Sequence, residues 1–220
     1  PEIFTTDMIP DDDYRLKTTG TFDNIELYLT KQKAGLYHQF VKNCLQLNNG
    51  NGTYSDISNY SGVYGTDWSW GALFLDADND GLNDLFICNG INKDLGDLDY
   101  LDFISNEVYS NMLQTGRKPA IGEVLKHIPV HPLPNRVFRN EGRFRFKDVG
   151  PEWGLAEPGF SNSAAYADLD GDGDLDLVVN NENQPAFVYR NRSRELNGND
   201  YIGFDLRGRD QNTYAVGSRV

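Results

Sequence analysis

Short apolar runs separated by turn-forming residues recur along this chain. ALFL (72–75) and AAYA (164–167) each precede an acidic segment, and LFIC (85–88) and LVVN (177–180) each follow one. Runs of about four apolar or β-branched residues bounded by Gly, Asn and Asp are typical of short β-strands. The pattern therefore predicts strand–loop–strand units.

These units belong to a longer repeat. NCLQLNNGNGTYSDI (43–57) aligns without a gap with NRVFRNEGRFRFKDV (135–149) at an offset of 92 residues, and DADNDGLND (76–84) aligns with DLDGDGDLD (168–176) at the same offset. The runs VFRN and FRFKDV add two strands, with a predicted turn at Glu141-Gly142 between them. Each repeat thus supplies about four short strands, which is the content of one β-propeller blade.

A third copy is cut short at the N-terminus. PEIFTTD (1–7) aligns with NDLFICN (83–89), which places Glu2 at the position of Asp84. We therefore expect the sequence to begin inside a motif, as a piece of a longer protein. The predicted fold class is all-β, with four-stranded antiparallel blades. The predicted divisions are a partial propeller at 1–195, with an incomplete blade at about 1–60, a full blade at about 66–150 and a further blade from about 160.

Two long insertions of different character interrupt the repeats between the predicted second and third strands. They cover roughly residues 10–42 and 91–134. FDNIELYLTKQ (22–32) and LDYLDFISNEVYSNMLQTG (98–116) have helix-like apolar spacing, and Gly116 is a helix stop signal. Loops of this length inside a compact repeat are often functional.

Charge and composition limit the partners of the chain. The 33 acidic and 20 basic residues give a formal net charge of −13, which argues against nucleic acid or an anionic membrane surface as a partner. No apolar run is long enough to span a bilayer. Two cysteines, Cys44 and Cys88, allow either one disulfide or two buried free thiols.

The acidic segments have the composition of metal-binding loops. Several carboxylates within nine residues repel one another unless a cation joins them, and ligands that are all oxygen select a hard cation, with flexible loops favouring Ca²⁺ over Mg²⁺. An EF-hand is excluded because its twelfth position holds Ile87 or Val179 instead of Glu, and because strands flank the loops. We predict two calcium sites, with a third truncated near Glu2. The expected ligands are Asp76, Asp78, Asp80, Asp84 and the Leu82 carbonyl in one loop, and Asp168, Asp170, Asp172, Asp176 and the Asp174 carbonyl in the other.

WGALFLDADNDGLNDLFICNG (70–90) and SAAYADLDGDGDLDLVVNN (163–181) resemble FG-GAP/VCBS repeats, the blades also found in integrin α-subunit propellers. TTDMIPDDDYRLKT (5–18) and YIGFDLRGRDQNTYAVGSRV (201–220) resemble segments of bacterial secreted proteins that combine such repeats with an ASPIC/UnbV domain. By this resemblance, residues 196–220 would be the start of that domain. The resemblance implies a β-propeller, calcium in the loop between the first two strands of a blade, and an extracellular, cell-surface or periplasmic location.

In a four-stranded blade the two insertions would lie on the face opposite calcium. GTDWSWG (65–71) and EPGFSNS (157–163), interpreted as loops entering the first strand, would share that face. We predict a glycan or protein partner there, contacted by aromatic side chains. The alternative is that these aromatics form the core between blade and insertion. The candidates are Trp68, Trp70, Tyr100 and Tyr109.

No catalytic constellation is readable, so the sequence predicts a binding module without enzymatic activity. His127 and His131 have helical spacing, but Pro129 and Pro132 disrupt a helix there, and His38 lies in the other insertion. The alternative is part of a calcium-dependent, lyase-like polysaccharide-degrading enzyme. Its only clustered basic candidates are Arg117, Lys118 and Lys126.

Overall fold

A computed structural model of the chain describes residues 2–20 and 25–219. These residues are 28% strand and 22% helix, so the fold is mostly β with a substantial helical contribution. The strands are β1 (Ile3–Thr5), β2 (Met8–Ile9), β3 (Cys44–Asn48), β4 (Tyr54–Asp56), β5 (Asp67–Leu75), β6 (Asp84–Asn89), β7 (Leu133–Pro134), β8 (Arg136–Asn140), β9 (Phe146–Asp148), β10 (Pro158–Gly159), β11 (Ser161–Ala167), β12 (Asp176–Asn181) and β13 (Phe187–Tyr189). The α-helices are α1 (Asp13–Thr18), α2 (Ile25–Lys33), α3 (Ser58–Ser61), α4 (Leu98–Phe103), α5 (Tyr109–Thr115), α6 (Ile121–Lys126) and α7 (Ser193–Asn197), with a π-helical turn at Ile104–Val108 between α4 and α5.

Three antiparallel sheets carry the repeats. The central sheet has the order β2-β5-β6-β8-β9, in which β5, β6, β8 and β9 follow one another as a four-stranded meander. The first sheet has the order β1-β3-β4 and the third β11-β12-β13. A small pair, β7 and β10, links the second insertion to the entry of the third sheet. This arrangement is compatible with propeller-like blades.

Helices enter where the two insertions were predicted. The segment between β1 and β3 contains β2, α1 and α2, and the segment between β6 and β8 contains α4 to α6. The helix predicted at 98–116 runs through the π turn to Thr115, and Gly116 ends it with φ +67°. The helix predicted at 22–32 is described from Ile25 onward, and its first residues lie outside the described part.

Strand β6 is the centre of the core, because both of its faces are buried. Phe86 and Cys88 pack in one cluster with Leu177 and Val179 of the third sheet. Leu85 and Ile87, which alternate with them, pack in a second cluster with Leu45 of the first sheet and Phe138 of the central sheet. Side chains alternate across a strand, so one continuous apolar run serves two interfaces between stacked sheets.

The two cysteines are free thiols. Cys88 is fully buried and Cys44 partly buried, so the disulfide alternative is wrong. Burial in the apolar cluster raises the pKa of Cys88 to about 12. We conclude that Cys88 is a packing residue.

The 92-residue repeat is visible in the hydrogen bonds. The Asn43 side chain accepts the Asp7 amide at 2.8 Å, and its counterpart Asn135 accepts the Asn89 amide at 3.0 Å. The hairpins repeat a second pair of bonds, with Gly50 donating to Asn48 at 2.9 Å and Gly142 to Asn140 at 3.0 Å. The repeat therefore specifies individual side-chain-to-backbone contacts as well as strand positions.

Three local predictions were wrong. GTDWSWG is not a loop, since residues 67–71 already belong to β5, which pairs with β2 and β6. EPGFSNS is not a loop either, because it contains β10 and the first residues of β11. The turn at Glu141-Gly142 is longer than predicted, because Arg143 and Phe144 also have positive φ values of 53° and 60° and β9 begins at Phe146. In each place the pairing partner, which a single sequence does not reveal, decides where the strand begins.

Candidate metal centre

The first acidic loop (76–84) connects β5 to β6 and folds around the carboxylate of Asp76. One oxygen of Asp76 accepts the Asp80 amide at 3.0 Å, and the other accepts the Gly81 amide at 2.9 Å. Gly81 has φ +85°, a conformation that costs glycine little. The turn therefore brings later residues of the loop back over its first aspartate.

Asp84 closes the loop from a fully buried position at the start of β6. Its carboxylate accepts the Ala77 amide at 3.0 Å and the Asn140 amide at 2.8 Å. Burial nevertheless outweighs these two hydrogen bonds and raises the pKa of Asp84 from 3.8 to about 6. A buried carboxylate of this kind is stabilised as an anion when a cation binds beside it.

Asp78 is the least satisfied carboxylate of this loop. Its Oδ1 atom is buried and has no hydrogen-bond partner among the described residues. Burial raises the pKa of Asp78, and the neighbouring charges of Asp80 and Asp76 raise it further. An unpaired buried oxygen beside other carboxylates is the arrangement that a bound cation would compensate.

Three carboxylates converge in this loop. One oxygen each from Asp76, Asp78 and Asp84 lies within 4.8 Å of the others, so the cluster could hold a metal ion. With only oxygen donors, the cluster fits a hard cation better than zinc or copper.

The second acidic loop (168–176), between β11 and β12, repeats this framework. Asp168 accepts the amides of Gly171 at 2.7 Å and Gly173 at 3.0 Å. Asp176, which is buried, accepts the amides of Leu169 and Asn191 at 2.9 and 2.8 Å. Oxygens of Asp168, Asp170 and Asp176 form the corresponding cluster, again within 4.8 Å of one another.

Arg190 distinguishes the second loop from the first. Its guanidinium lies 2.7 Å from Asp170 and 3.2 Å from Asp172. The amide of Asp174 and then the Arg190 side chain lower the pKa of Asp172, although burial acts in the opposite direction. A positive charge from outside the second loop thus already lies beside two of its carboxylates.

The two carboxylate clusters do not include the side chains of Asp80 and Asp172. Asp80 accepts the Leu82 amide at 2.8 Å, and Asp172 accepts the Asp174 amide at 3.0 Å, so each carboxylate holds its own loop. Ligation by these residues, by the Leu82 and Asp174 carbonyls, and at the truncated site near Glu2 stays a prediction.

Sequence reasoning missed three contributors to these loops. Arg190 is one. The second is the side chain of Asp174, which is buried and accepts Asn79 Nδ2 at 2.7 Å, joining the two loops. The third is the pair of amides that bind the closing aspartates, at Asn140 and Asn191. A signal for the last was available, because VFRN (137–140) and VYRN (188–191) are nearly identical third strands.

The aromatic candidates occupy different environments. Trp68 and Trp70 of β5 stack with ring centroids 6.3 Å apart, and Trp70 is 47% exposed. Tyr100 is buried beside Phe103, whereas Tyr109 is 56% exposed on α5. Trp70 and Tyr109 are therefore the accessible members of the set.

The histidines and basic residues of the insertions have separate contacts. The ring of His127 stacks on Phe103 at 4.2 Å, and His38 Nδ1 lies 2.7 Å from the Tyr28 hydroxyl. His131 Nε2 lies 3.8 Å from Asp94 and 3.7 Å from Asp97. Lys126, one of the three clustered basic residues, pairs with Glu123 at 2.8 Å, as expected for a solvated surface.

Comparison with known families identifies an FG-GAP-like repeat at residues 130–179. The matched region covers β8, β9, β11, the whole second acidic loop and most of β12. No curated protein sequence matches the chain. Within residues 2–20 and 25–219, none of the helices combines the length and apolarity that crossing a bilayer requires.

Proposed function

We propose that the chain is a calcium-binding, extracellular repeat module: part of a β-propeller in which each acidic loop holds a structural calcium ion. The observation that carries the proposal is the pair of equivalent three-carboxylate clusters at the same hairpin position. The FG-GAP-like match, which spans one of these loops, supports both the repeat identity and an extracellular location.

Calcium fits these loops better than magnesium. Ca²⁺ takes six to eight oxygen ligands in flexible geometry, whereas Mg²⁺ demands a near-ideal octahedron and retains its water molecules. Each loop offers three converging carboxylates on a short glycine-containing turn, with further carboxylates and carbonyls nearby. A bound ion would neutralise their repulsion and fasten the first strand of a sheet to the second.

The metal would also stabilise contacts beyond its own hairpin. The Ala77 carbonyl of the first loop accepts both Asn191 Nδ2 at 2.8 Å and Ser193 Oγ at 2.6 Å, and the Asp78 carbonyl accepts Asn199 Nδ2 at 2.8 Å. These donors follow the third sheet in the chain. An ordered first loop therefore supports the packing of the third sheet against the central one.

The second insertion and the neighbouring start of β5 are the proposed recognition surface for a glycan or protein partner. Tyr109 is exposed in the insertion and Trp70 on β5, and exposed aromatic rings are typical of both kinds of interface. Residues 196–220 are proposed, on sequence resemblance, as the start of an ASPIC/UnbV-like domain.

Thermal melts in calcium, magnesium and EDTA test the metal proposal. Calcium should raise the melting temperature clearly and magnesium should raise it little. A double variant, Asp78→Asn with Asp170→Asn, should lose the calcium response, while Asp13→Asn, at an exposed helix position, should keep it. Equal melts in calcium and EDTA would contradict the proposal. The recognition surface is tested in a separate experiment. Glycan-array and pull-down binding is compared between the wild-type chain and a variant that combines Trp70→Ala with Tyr109→Ala.

A further inference from the structure

A cavity of about 770 Å³ lies between the first insertion and the sheets, away from both acidic loops. Its walls are mainly aromatic and aliphatic, and they include Ile9, Leu16, Tyr28, Phe40 and Trp68. This volume is within the range of about 300–1,000 Å³ that is typical of small-molecule sites, which also combine apolar walls with a few polar groups.

An unpaired polar atom marks one end of the cavity. Thr19 lines it, and the buried Oγ1 of Thr19 has no hydrogen-bond partner among the described residues. A buried polar atom without a partner costs about 1–3 kcal/mol, so the Thr19 hydroxyl calls for an oxygen-bearing molecule at this end. Asp67 also lines this end of the cavity, close to Thr19.

The polar end is built into the fold. Asp67, which lines the cavity, accepts Nε and Nη2 of Arg15 at 3.0 and 3.1 Å, and Nη2 also binds Asp94 at 3.0 Å. Asp94 is fully buried. These bonds hold Asp67 in place before any ligand arrives, which lowers the entropic cost of binding.

Backbone strain occurs at the same place. Asp67 has φ +69°, an unfavourable conformation for a residue with a side chain, and it lies directly before Trp68 at the start of β5. Strain of this kind costs on the order of 1–3 kcal/mol and is concentrated at ligand sites. Thr19 and Trp68 meet at Gly96, where an added Cβ would lie 3.4 Å from Thr19 Cγ2 and 4.0 Å from the Trp68 ring. The polar end and the aromatic wall are thus adjacent.

The charges around the cavity select against an anion. Asp67 lines the cavity and shares its partner Arg15 with Asp94, and the basic lining residue Lys42 pairs with Asp56 at 2.7 Å. An anionic head would meet this net negative charge without an available cation.

We propose that the cavity binds a neutral small molecule with an apolar, ring-containing body and a hydroxyl group, the body against Trp68, Tyr28 and Phe40 and the hydroxyl against Thr19. This inference goes beyond the proposed function, because neither acidic loop contributes to the cavity.

Two nearly isosteric probes test the proposal by quenching of tryptophan fluorescence: 4-biphenylmethanol and 4-biphenylcarboxylate. The alcohol should bind at least tenfold more tightly than the carboxylate. Thr19→Val should weaken alcohol binding about fivefold, Thr19→Ser should preserve it, and Thr115→Val, a hydroxyl removed from exposed α5, should change nothing. Leu16→Trp, which fills the cavity, should abolish binding by both probes.

Several results would overturn the proposal. They are equal affinity for the two probes, unchanged affinity in Thr19→Val, or binding that survives Leu16→Trp. Absence of binding by the calcium-loaded wild-type protein would overturn it as well. Melting curves establish that each variant is folded. Because the calcium melt is measured without a probe, failure here is distinguishable from failure of the proposed metal sites.

Discussion

The two acidic loops share one backbone framework but differ in how their charges are compensated. In each loop the last aspartate, Asp84 or Asp176, is buried and accepts two backbone amides. Among the described residues, the first loop leaves an oxygen of Asp78 buried and unpaired, whereas in the second loop, which carries the additional Asp174, Arg190 lies 2.7 Å from Asp170. The comparison teaches that the repeat determines the shape of a loop, while single substitutions within it and residues outside it determine how its charge is compensated.

Arg139 shows how one neighbouring residue changes this outcome. Arg139 and Arg190 occupy the same position in nearly identical strands, one residue before the asparagine whose amide binds the closing aspartate. Arg139 pairs with Glu141 at 3.2 Å, but the residue corresponding to Glu141 is Arg192. Arg190 instead pairs with Asp170 and Asp172 of the second loop, and its Nη2 also lies 3.3 Å from Glu195. We therefore expect the first loop to bind calcium more tightly than the second.

The largest predicted effect is the loss of a closing aspartate. At a calcium concentration 100 times the dissociation constant, each bound ion adds about 2.7 kcal/mol to the free energy of unfolding. Asp84→Asn and Asp176→Asn should each forfeit about this amount in calcium and much less in EDTA, as measured by urea denaturation. Asp13→Asn is the exposed control. Equal losses in calcium and in EDTA would mean that the carboxylate only supports the backbone.

A second prediction concerns the contact between the loops. Asn79 donates to the buried Asp174 at 2.7 Å, and the residue equivalent to Asn79 in the second loop is Gly171. Because Asn79 has φ +56° and Gly171 has φ +77°, Asn79→Gly removes the hydrogen bond without straining the turn. We expect a loss of about 2 kcal/mol, the value for a hydrogen bond to a charged group.

The matched control for that substitution is Asn183→Gly, at an exposed asparagine with φ +55°. Its effect on the urea midpoint should be small. If the two variants lose the same stability, the Asn79–Asp174 bond contributes nothing beyond the conformation of the turn.

The third prediction uses the raised pKa of Asp84. Below about pH 6 a proton competes with the metal for this carboxylate, so calcium affinity of the first loop should fall about tenfold per pH unit. In EDTA the effect on stability has the opposite sign. A pKa raised above 3.8 means that the folded state binds the proton more tightly, so this group's contribution to stability falls as the pH rises from 3.8 to about 6. Calorimetric calcium titrations of Asp170→Asn, which leaves the first loop intact, measure the first dependence at several pH values. In pH-dependent melts in EDTA, Asp84→Asn should reduce the second dependence, and Asp13→Asn should keep it.

The sequence contained most of what defines these loops. The offset of 92 residues predicted two equivalent acidic loops, and Asp76, Asp78 and Asp84, with their counterparts, do converge. Asp80 was also predicted as a ligand; one of its carboxylate oxygens accepts the Leu82 amide, and its ligation stays a prediction. Spacing alone does not reveal which local backbone donors compete for a carboxylate.

The sequence did not predict the contacts of Arg190 and Asp174. Arg190 binds Asp170 and Asp172, which lie well before it in the chain. Asp174 binds Asn79, and the residue at the corresponding position of the second loop is Gly171. The entry of β5 was also unpredictable, because pairing with β2, a strand inside an insertion, converts the expected loop around Trp68 into a strand. Such features arise from tertiary context.

The smallest predicted effect is the most specific to the comparison between the loops. Arg190→Gln should strengthen calcium binding to the second loop about two- to fivefold, because an exposed ion pair with roughly 0.2–1 kcal/mol no longer competes with the metal. Arg139→Gln is the comparison variant. The charge of Arg139 opposes the rise that burial causes in the pKa of Asp78, but Arg139 is also paired with Glu141, so its removal should change the first loop less than Arg190→Gln changes the second. Calorimetric titration distinguishes the two sites when the other is removed by Asp78→Asn or Asp170→Asn. Weaker binding in Arg190→Gln would show that this arginine supports the site.

Counting the calcium ions bound by the wild-type chain tests the central claim most directly. Equilibrium dialysis against calcium in a magnesium-containing buffer should give two ions per chain, falling to one in Asp78→Asn or Asp170→Asn and to none in the double variant. Two ions of unequal affinity would establish the acidic loops as calcium sites. No bound calcium, or two ions retained by the double variant, would contradict the account.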